Sequence, residues 1–380
     1  MNIFQKKEIS KAIKYYAEKT ELNKLINDNI TLPIELARIS AINPSAIKEN
    51  SEIIQQAYRH NGIELAEEQA IINYLLTIFL MECKTFDLLS PELILEIVKH
   101  SKIFHKNDLL PNPYIHNINV QHIIAGKYKT TRKTLERYEL FLYNEDTNID
   151  NICIPSIGVT DFRFQYPAIT QNNKTIIQVS PTEIYSTQPY IDKATGNVLI
   201  LGCELGYFAY MCSEKPDVHH ITIVENTKEK IKIFKKTVIT QFTHRYKINI
   251  IQENPYEYIK KLNDETYDYC FVNLCKNRRD AEPYIKLKEI SNKFTKMHID
   301  YYMENQILST LINFIPVILQ NKTQKQDNKS FTSTLTDEEK YAFQHMRYLL
   351  KDVEINSEED VGMYMDSENI KTLLSKKGKI

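Results

Sequence analysis

Glycine is scarce in this chain, with 8 among 380 residues, and tryptophan is absent. The lack of tryptophan, set against 24 tyrosines, carries no functional information. Cysteine is used sparingly and without pattern: the six stand at 83, 153, 203, 212, 270 and 275, with no C-x-x-C pair and no histidine cluster beside them. That spacing argues against a zinc site, and in a chain of this size against a disulfide framework. Cys270, inside an apolar run, reads as a small core hydrophobe. No Gly-Lys-Ser/Thr follows a glycine turn, so a Walker A loop is missing. The longest apolar runs, near Ala70 to Met81 and Ile307 to Leu319, are too short to span a bilayer, which argues against a membrane partner. The N-terminal MNIFQKKEIS lacks the apolar core of a signal peptide. These absences describe a cytoplasmic protein of a reducing compartment. Excess charge is lacking too: 48 Lys and Arg against 49 Asp and Glu give a net charge of −1. There is thus no strong nucleic-acid signal in the bulk electrostatics, and a local basic patch is left open.

What is present is an ordinary globular balance, 42% hydrophobic and 26% charged. The abundance of Ile, Lys and Asn suggests an AT-rich genome, bacterial or from a phage. The length implies two or more domains. Residues 1–128 read as a helical N-terminal domain. Ser51 to His60, Glu64 to Met81 and Pro91 to His100 carry apolar residues at three- and four-residue spacing. Ser90-Pro91-Glu92 is a helix start with Ser as cap and Pro at the first position. Asn107 to Asn119 breaks the pattern and reads as a loop. Thr31 to Ile53 has a helix-turn-helix outline around Asn43-Pro44, but the second helix lacks clustered Arg and Lys, so a plain helical bundle is the reading.

Residues 129–190 form a connecting segment with a β-hairpin. Phe162 to Tyr166 and Thr175 to Val179 alternate apolar and polar residues around the turn signal Thr170-Gln171-Asn172-Asn173-Lys174. Ser180-Pro181-Thr182-Glu183 then starts a helix that Gly196 ends. Residues 191–320 alternate strand and helix. The strands are Val198–Leu201, Ile221–Val224, Ile248–Ile251, Tyr269–Val272 and Met297–Tyr301; the helices between them are Tyr207–Ser213, Lys228–Phe242, Pro255–Leu262 and Tyr284–Phe294. The fold class is therefore α/β, a Rossmann-like doubly wound, mostly parallel sheet. Ligands bind such sheets at the carboxyl ends of the strands. Residues 321–380 read as a polar linker, Asn321 to Thr334, followed by C-terminal helices that open on the capping sequence Thr336-Asp337-Glu338-Glu339.

The ligand signal is concentrated in NVLILGCELGYFAYMCSEKPDVHHITIVE, residues 197–225: strand, glycine turn, helix, strand and a terminal carboxylate. A dinucleotide fingerprint needs Gly where Glu204 stands, and a carboxylate there would repel a pyrophosphate. S-adenosylmethionine (SAM) carries a sulfonium and an ammonium but no phosphate, so charge logic favours SAM over NAD or ATP. VLILGCELGYFA resembles the first motif of class I SAM-dependent methyltransferases, in the variant of the spermidine-synthase-like branch. The resemblance covers about 160–320. It implies that Gly202, Cys203, Glu204 and Gly206 back the amino-acid part of SAM, that Glu225 holds the ribose hydroxyls, that Asn254 meets the adenine amine, and that Asn273 faces the transferring group.

Two positions depart from that pattern. Glu204 replaces a usual Gly, and Asn273 stands where an acidic residue is common, which disfavours an aminopropyltransferase. The family's sixth and seventh strands are not evident after Tyr302: either the sheet stops at five strands, or the 162–179 hairpin builds its edge. Asp161 and Arg163 read as an exposed strand-start pair, His219 and His220 as surface residues, and Lys276, Arg278 and Arg279 as a solvated loop. The resulting expectation is a SAM-dependent methyltransferase of unknown acceptor, with catalytic residues unassigned and no metal. The alternatives are a catalytically inactive SAM/nucleotide-binding or scaffold protein and, less favoured, an aminopropyltransferase-like enzyme. A homo-oligomer is compatible with the sequence.

Overall fold

The alternation of apolar runs and amphipathic segments after residue 195 builds a five-stranded parallel sheet in a computed structural model of the chain, which describes residues 3–36, 44–324 and 329–375. Its strands are β1 (Gly196–Leu201), β2 (Val218–Glu225), β3 (Ile248–Gln252), β4 (Tyr269–Val272) and β5 (His298–Tyr301). All pairs are parallel and the order is β3-β2-β1-β4-β5. The crossovers carry helices α1 (Tyr207–Ser213), α2 (Lys228–Thr237), α3 (Pro255–Lys261) and α4 (Glu282–Ser291). From β1 the chain winds outward to β3, then returns to β4 on the other side of β1. That reversal places the switch point at the carboxyl ends of β1 and β4.

Side chains of β1 and β4 alternate between two covered faces, which is why both strands read as continuous apolar runs. Leu199, Leu201, Cys270 and Val272 belong to one core with Ile285 and Leu287 of α4 and with Ile9 and Ile13 of the N-terminal helix Ile3–Ile26. On the other face Phe208 of α1 stacks on Phe271 with ring centroids 4.1 Å apart. Among the described residues the sheet ends at β5. Helices follow instead, Glu304–Ile312, Ile315–Gln324, Lys329–Thr332 and Asp337–Leu349, because the sequence after Tyr302 has helical rather than alternating periodicity. The stretch read as a polar linker is helical at 321–324 and 329–332 and a turn at 333–334. The Thr336 cap forms as expected: its hydroxyl accepts from Glu339 N–H at 3.3 Å, and the Glu339 carboxylate returns to Thr336 N–H at 2.9 Å.

The contacts divide the chain into two units, Met1–Glu21 with Pro189–Ile380, and Leu22–Gln188. The second unit contains the helices Pro44–His60, Glu67–Glu82 and Pro91–Lys99, with the Ser90 hydroxyl capping the last of them. It also contains more β-structure than its sequence suggests. A three-stranded sheet joins Lys102–Phe104, Ile157–Thr160 and Leu140–Leu142, and a small hairpin pairs Thr147–Ile149 with Ile152–Ile154. The expected hairpin is Phe164–Gln171 with Lys174–Gln178, turning at Asn172 and Asn173, both of which have positive φ. It lies in a four-stranded antiparallel sheet with Ile124–Ala125 and Tyr128–Leu135, not at the edge of the parallel sheet. In the helix-turn-helix outline, helices Leu32–Leu36 and Pro44–His60 are seen, but residues 37–43 between them lie outside the described residues.

Candidate functional site at the carboxyl edge of the parallel sheet

The turn after β1 is held by its neighbours on both sides. Gly202 N–H donates to the Val224 carbonyl of β2 at 2.9 Å, and Asn273 N–H after β4 donates to the Leu201 carbonyl at 2.9 Å. Gly202 has φ +102°, and a Cβ there would lie 2.3 Å from the Asn273 carbonyl oxygen. Only glycine fits both the backbone conformation and that approach. Gly206 has φ +70°, and its Cβ would meet the Phe234 ring of α2 at 2.2 Å. Both glycines are therefore required by the packing of the turn itself. Between them Glu204 takes φ +40°, an uncommon conformation for a residue with a side chain.

Glu225 closes the turn from the end of β2. It is 4% exposed, with one carboxylate oxygen accepting from Cys203 N–H at 3.3 Å and the other from Thr227 N–H at 2.8 Å. Lys230 Nζ lies 3.9 Å away and balances the charge. A buried carboxylate needs such partners, since desolvation otherwise outweighs what it gains. Cys203 is buried, and burial together with the Glu225 carboxylate pushes its thiol pKa up, so the side chain is a neutral filler. Asn273 is 8% exposed, and its side-chain amide has no hydrogen-bond partner among the described residues. Its amide therefore has spare bonding capacity at this edge.

The fold therefore brings together Gly202, Cys203, Glu204, Gly206, Glu225 and Asn273 at the ends of β1, β2 and β4. Asn254 stands apart, at the end of the outer strand β3. Its side-chain oxygen accepts from Tyr256 N–H at 2.9 Å and caps α3, with Pro255 at the first helical position. The cap explains an Asn at this place without a ligand.

One carboxylate at this edge had no strand-end signal in the sequence. Asp280, 3% exposed, accepts from Lys276 N–H at 3.1 Å, with Lys276 Nζ 3.9 Å away. Burial raises its pKa above the usual carboxylate range. Burial and Asp280 together push the Cys275 thiol up to about 12. The nearby cations are neutralised: Lys276 reaches Glu338 at 3.8 Å and Arg279 reaches Glu339 at 3.8 Å. Asp161 and Arg163, in the second unit, are paired locally. Asp161 binds His105 Nδ1 at 2.7 Å, which raises the His105 pKa, and Arg163 binds Glu136 at 2.9 Å. His219 and His220 are exposed at the start of β2.

A groove of about 410 Å³ lies at the opposite, amino end of β5, lined by Lys288, Asn292, Lys296, His298 and Ser375 among others. None of its lining residues belongs to the glycine turn or to the ends of β1, β2 and β4. Among the described residues no cluster of three or more His, Cys, Asp or Glu could hold a metal, and no helix is long and apolar enough to cross a membrane.

No family model and no curated protein matches the chain. Among solved structures it is similar to a spermidine synthase from Thermotoga maritima at 12% identity, over 40% of this chain and 58% of that one, with a TM-score of 0.28. The matched part is less than two thirds of that enzyme's length, and a likeness this slight carries no argument about chemistry.

Proposed function

We propose that the carboxyl edge of β1, β2 and β4 binds S-adenosylmethionine and that the protein is a SAM-dependent methyltransferase whose acceptor is not specified by the site. The observation that carries this reading is the buried carboxylate of Glu225, at the end of the strand beside the glycine turn and bonded to that turn through Cys203 N–H. The donor set suits an adenosyl cation better than a phosphate. Two carboxylates, Glu204 and Glu225, belong to the turn and its neighbour, whereas a pyrophosphate needs unopposed N–H groups.

Glu225 would accept the ribose hydroxyls through the lone pairs its present partners leave unused. Asn273 would offer its amide beside the transferring group, and Gly202 would keep the turn close to β4. Bound SAM supplies a methyl carbon made electrophilic by its sulfonium. Transfer to an acceptor that is already nucleophilic depends mainly on alignment, so an edge without a free general base is compatible with it. Asp280, with its raised pKa, is the titratable group on this edge suited to receive a proton where the acceptor must lose one.

A second reading is an inactive scaffold, favoured by the same carboxylate: Glu225 is 4% exposed and its bonds already staple the two turns. Calorimetric titration with SAM, S-adenosylhomocysteine, decarboxylated SAM and NAD separates the two. Micromolar binding of SAM and its homocysteine product, lost in Glu225→Ala, supports the enzyme. Absence of binding by every adenosyl ligand supports the scaffold.

A further inference from the structure

Helix α2 turns Ile231, Ile233 and Phe234 into the core and presents Lys228, Lys232, Lys235 and Lys236 to solvent. At about 100° and 1.5 Å per residue these four ammoniums share one face and extend over roughly 12 Å. None has a carboxylate within ion-pair distance among the described residues. Elsewhere in the same unit, helical lysines are placed one turn from an acid, as in Lys260–Glu257, Lys286–Glu282, Lys340–Asp337 and Lys371–Glu368. On α2 the one acid, Glu229, stands three residues before Lys232 but forms no ion pair with it among the described residues. Lys228, Lys232 and Lys236 follow one another at i, i+4, where like charges repel and weaken the helix. A chain with a net charge of −1 has concentrated unpaired positive charge here against its own helix stability.

The segment that follows the helix adds an exposed ring. The turn Ile239–Gln241 extends α2 and packs against the turn Arg245–Lys247. Lys247 is tied down, donating to the Ser213 and Lys215 carbonyls at 3.0 and 2.8 Å. Its neighbours Arg245 and Tyr246 remain outside, and Tyr246 is 76% exposed, the most exposed of the large hydrophobic side chains. His244 meets its ring in a T-shaped arrangement at 5.8 Å between centroids, with His244 Nδ1 3.3 Å from the Tyr246 hydroxyl and His244 Nε2 3.7 Å from Glu214.

We infer that this face, Lys228, Lys232, Lys235, Lys236, Arg245 and Tyr246, binds single-stranded nucleic acid, independently of the adenosyl site. A row of cations one helical turn apart matches a partner with regularly repeating negative charge, and an open aromatic ring beside it offers a stacking surface to an unpaired base. An anionic membrane is the poorer fit, because the apolar side of α2 is consumed by the core and has nothing left to insert. An acidic protein surface gives no use for the exposed ring beside the cations.

The test is fluorescence anisotropy of the full chain with labelled RNA and DNA single strands of about 20 nucleotides, over a salt series. The logarithm of affinity should fall against the logarithm of salt with a slope near −3.5 if five cations each meet a phosphate. Charge reversal by Lys232→Glu, Lys235→Glu and Lys236→Glu together should flatten that slope, and these exposed positions leave the core untouched. Tyr246→Ala should cost about 5- to 150-fold in affinity and leave the slope unchanged. A preference for RNA or for DNA names the source within the class. The inference is overturned if neither strand binds at low salt, or if the charge-reversed protein, folded by circular dichroism, binds as before. Equal competition by polyglutamate or by anionic vesicles also overturns it.

Discussion

Glu225 accepts the backbone N–H of Cys203 across 3.3 Å, joining the end of one strand to the glycine turn of its neighbour from a position that is 4% exposed. The same carboxylate holds Thr227 N–H at 2.8 Å, so one side chain satisfies donors on two loops. Its removal should therefore act on stability before any question of ligand arises. Glu225→Ala leaves two N–H groups without their acceptor, at about 1–3 kcal/mol for each that stays buried. Glu225→Gln keeps one carbonyl acceptor and should lose roughly half as much. Urea unfolding of the two variants measures the difference; equal stability of all three proteins would contradict the staple.

The glycines of the turn should respond unequally to alanine. At Gly202 the new methyl group meets a backbone carbonyl that β4 fixes in place, at 2.3 Å. At Gly206 it meets the edge of the buried Phe234 ring, a side chain that can turn about its own bonds where a backbone carbonyl cannot. Both also carry the cost of a positive φ, about 1–2 kcal/mol for a residue with a Cβ. Gly202→Ala should thus be the more damaging, by about 1–3 kcal/mol, the cost of overpacking. The midpoint of thermal unfolding in each variant checks the order.

Much of this edge is legible in the sequence, for a physical reason. Strands such as Val198–Leu201 and Tyr269–Val272 are covered on both faces, so they are short, apolar throughout and separated by segments long enough to cross over. The strands of residues 102–160 escaped because several are only three or four residues long, as at Lys102–Phe104 and Leu140–Leu142, too few to show alternation. Asp280 escaped because a loop folds it back to the edge rather than a strand delivering it there. Asn254 had a local signal pointing to its role: an Asn before Pro at a helix start is a cap.

Asn254 gives a clean separation of cap from ligand contact. Asn254→Ala should destabilise by about 0.5–2 kcal/mol through the lost bond to Tyr256 N–H. Asn254→Asp retains the accepting oxygen and should keep stability while removing the amide donor. If Asn254→Ala, which removes the accepting oxygen, still binds SAM as the unaltered protein does, the adenine contact implied for this residue is absent.

His345 sets an acid-sensitive component of stability. It is 2% exposed, and neither ring nitrogen has a hydrogen-bond partner among the described residues. Burial lowers its pKa below the ordinary 6.5. The unfolded chain then takes up a proton that the folded one refuses, so stability is complete above about pH 6.5 and falls as the pH drops through the unfolded value towards the folded one. The limiting slope is about 1.4 kcal/mol per pH unit. His345→Leu should be at least as stable at pH 7.5 and should lose part of the decline between pH 6.5 and 5.5, read from urea midpoints across that range. An unchanged decline would show that other groups set it.

The most direct measurement of the proposed adenosyl site is hydrogen exchange by mass spectrometry with and without S-adenosylhomocysteine. Slower exchange confined to residues 200–207, 225–228 and 273–276, with none at the groove around residues 291–298, is the expected result. Unchanged exchange at all three segments under saturating ligand, or protection only elsewhere, would contradict a ligand site at the carboxyl edge of β1, β2 and β4.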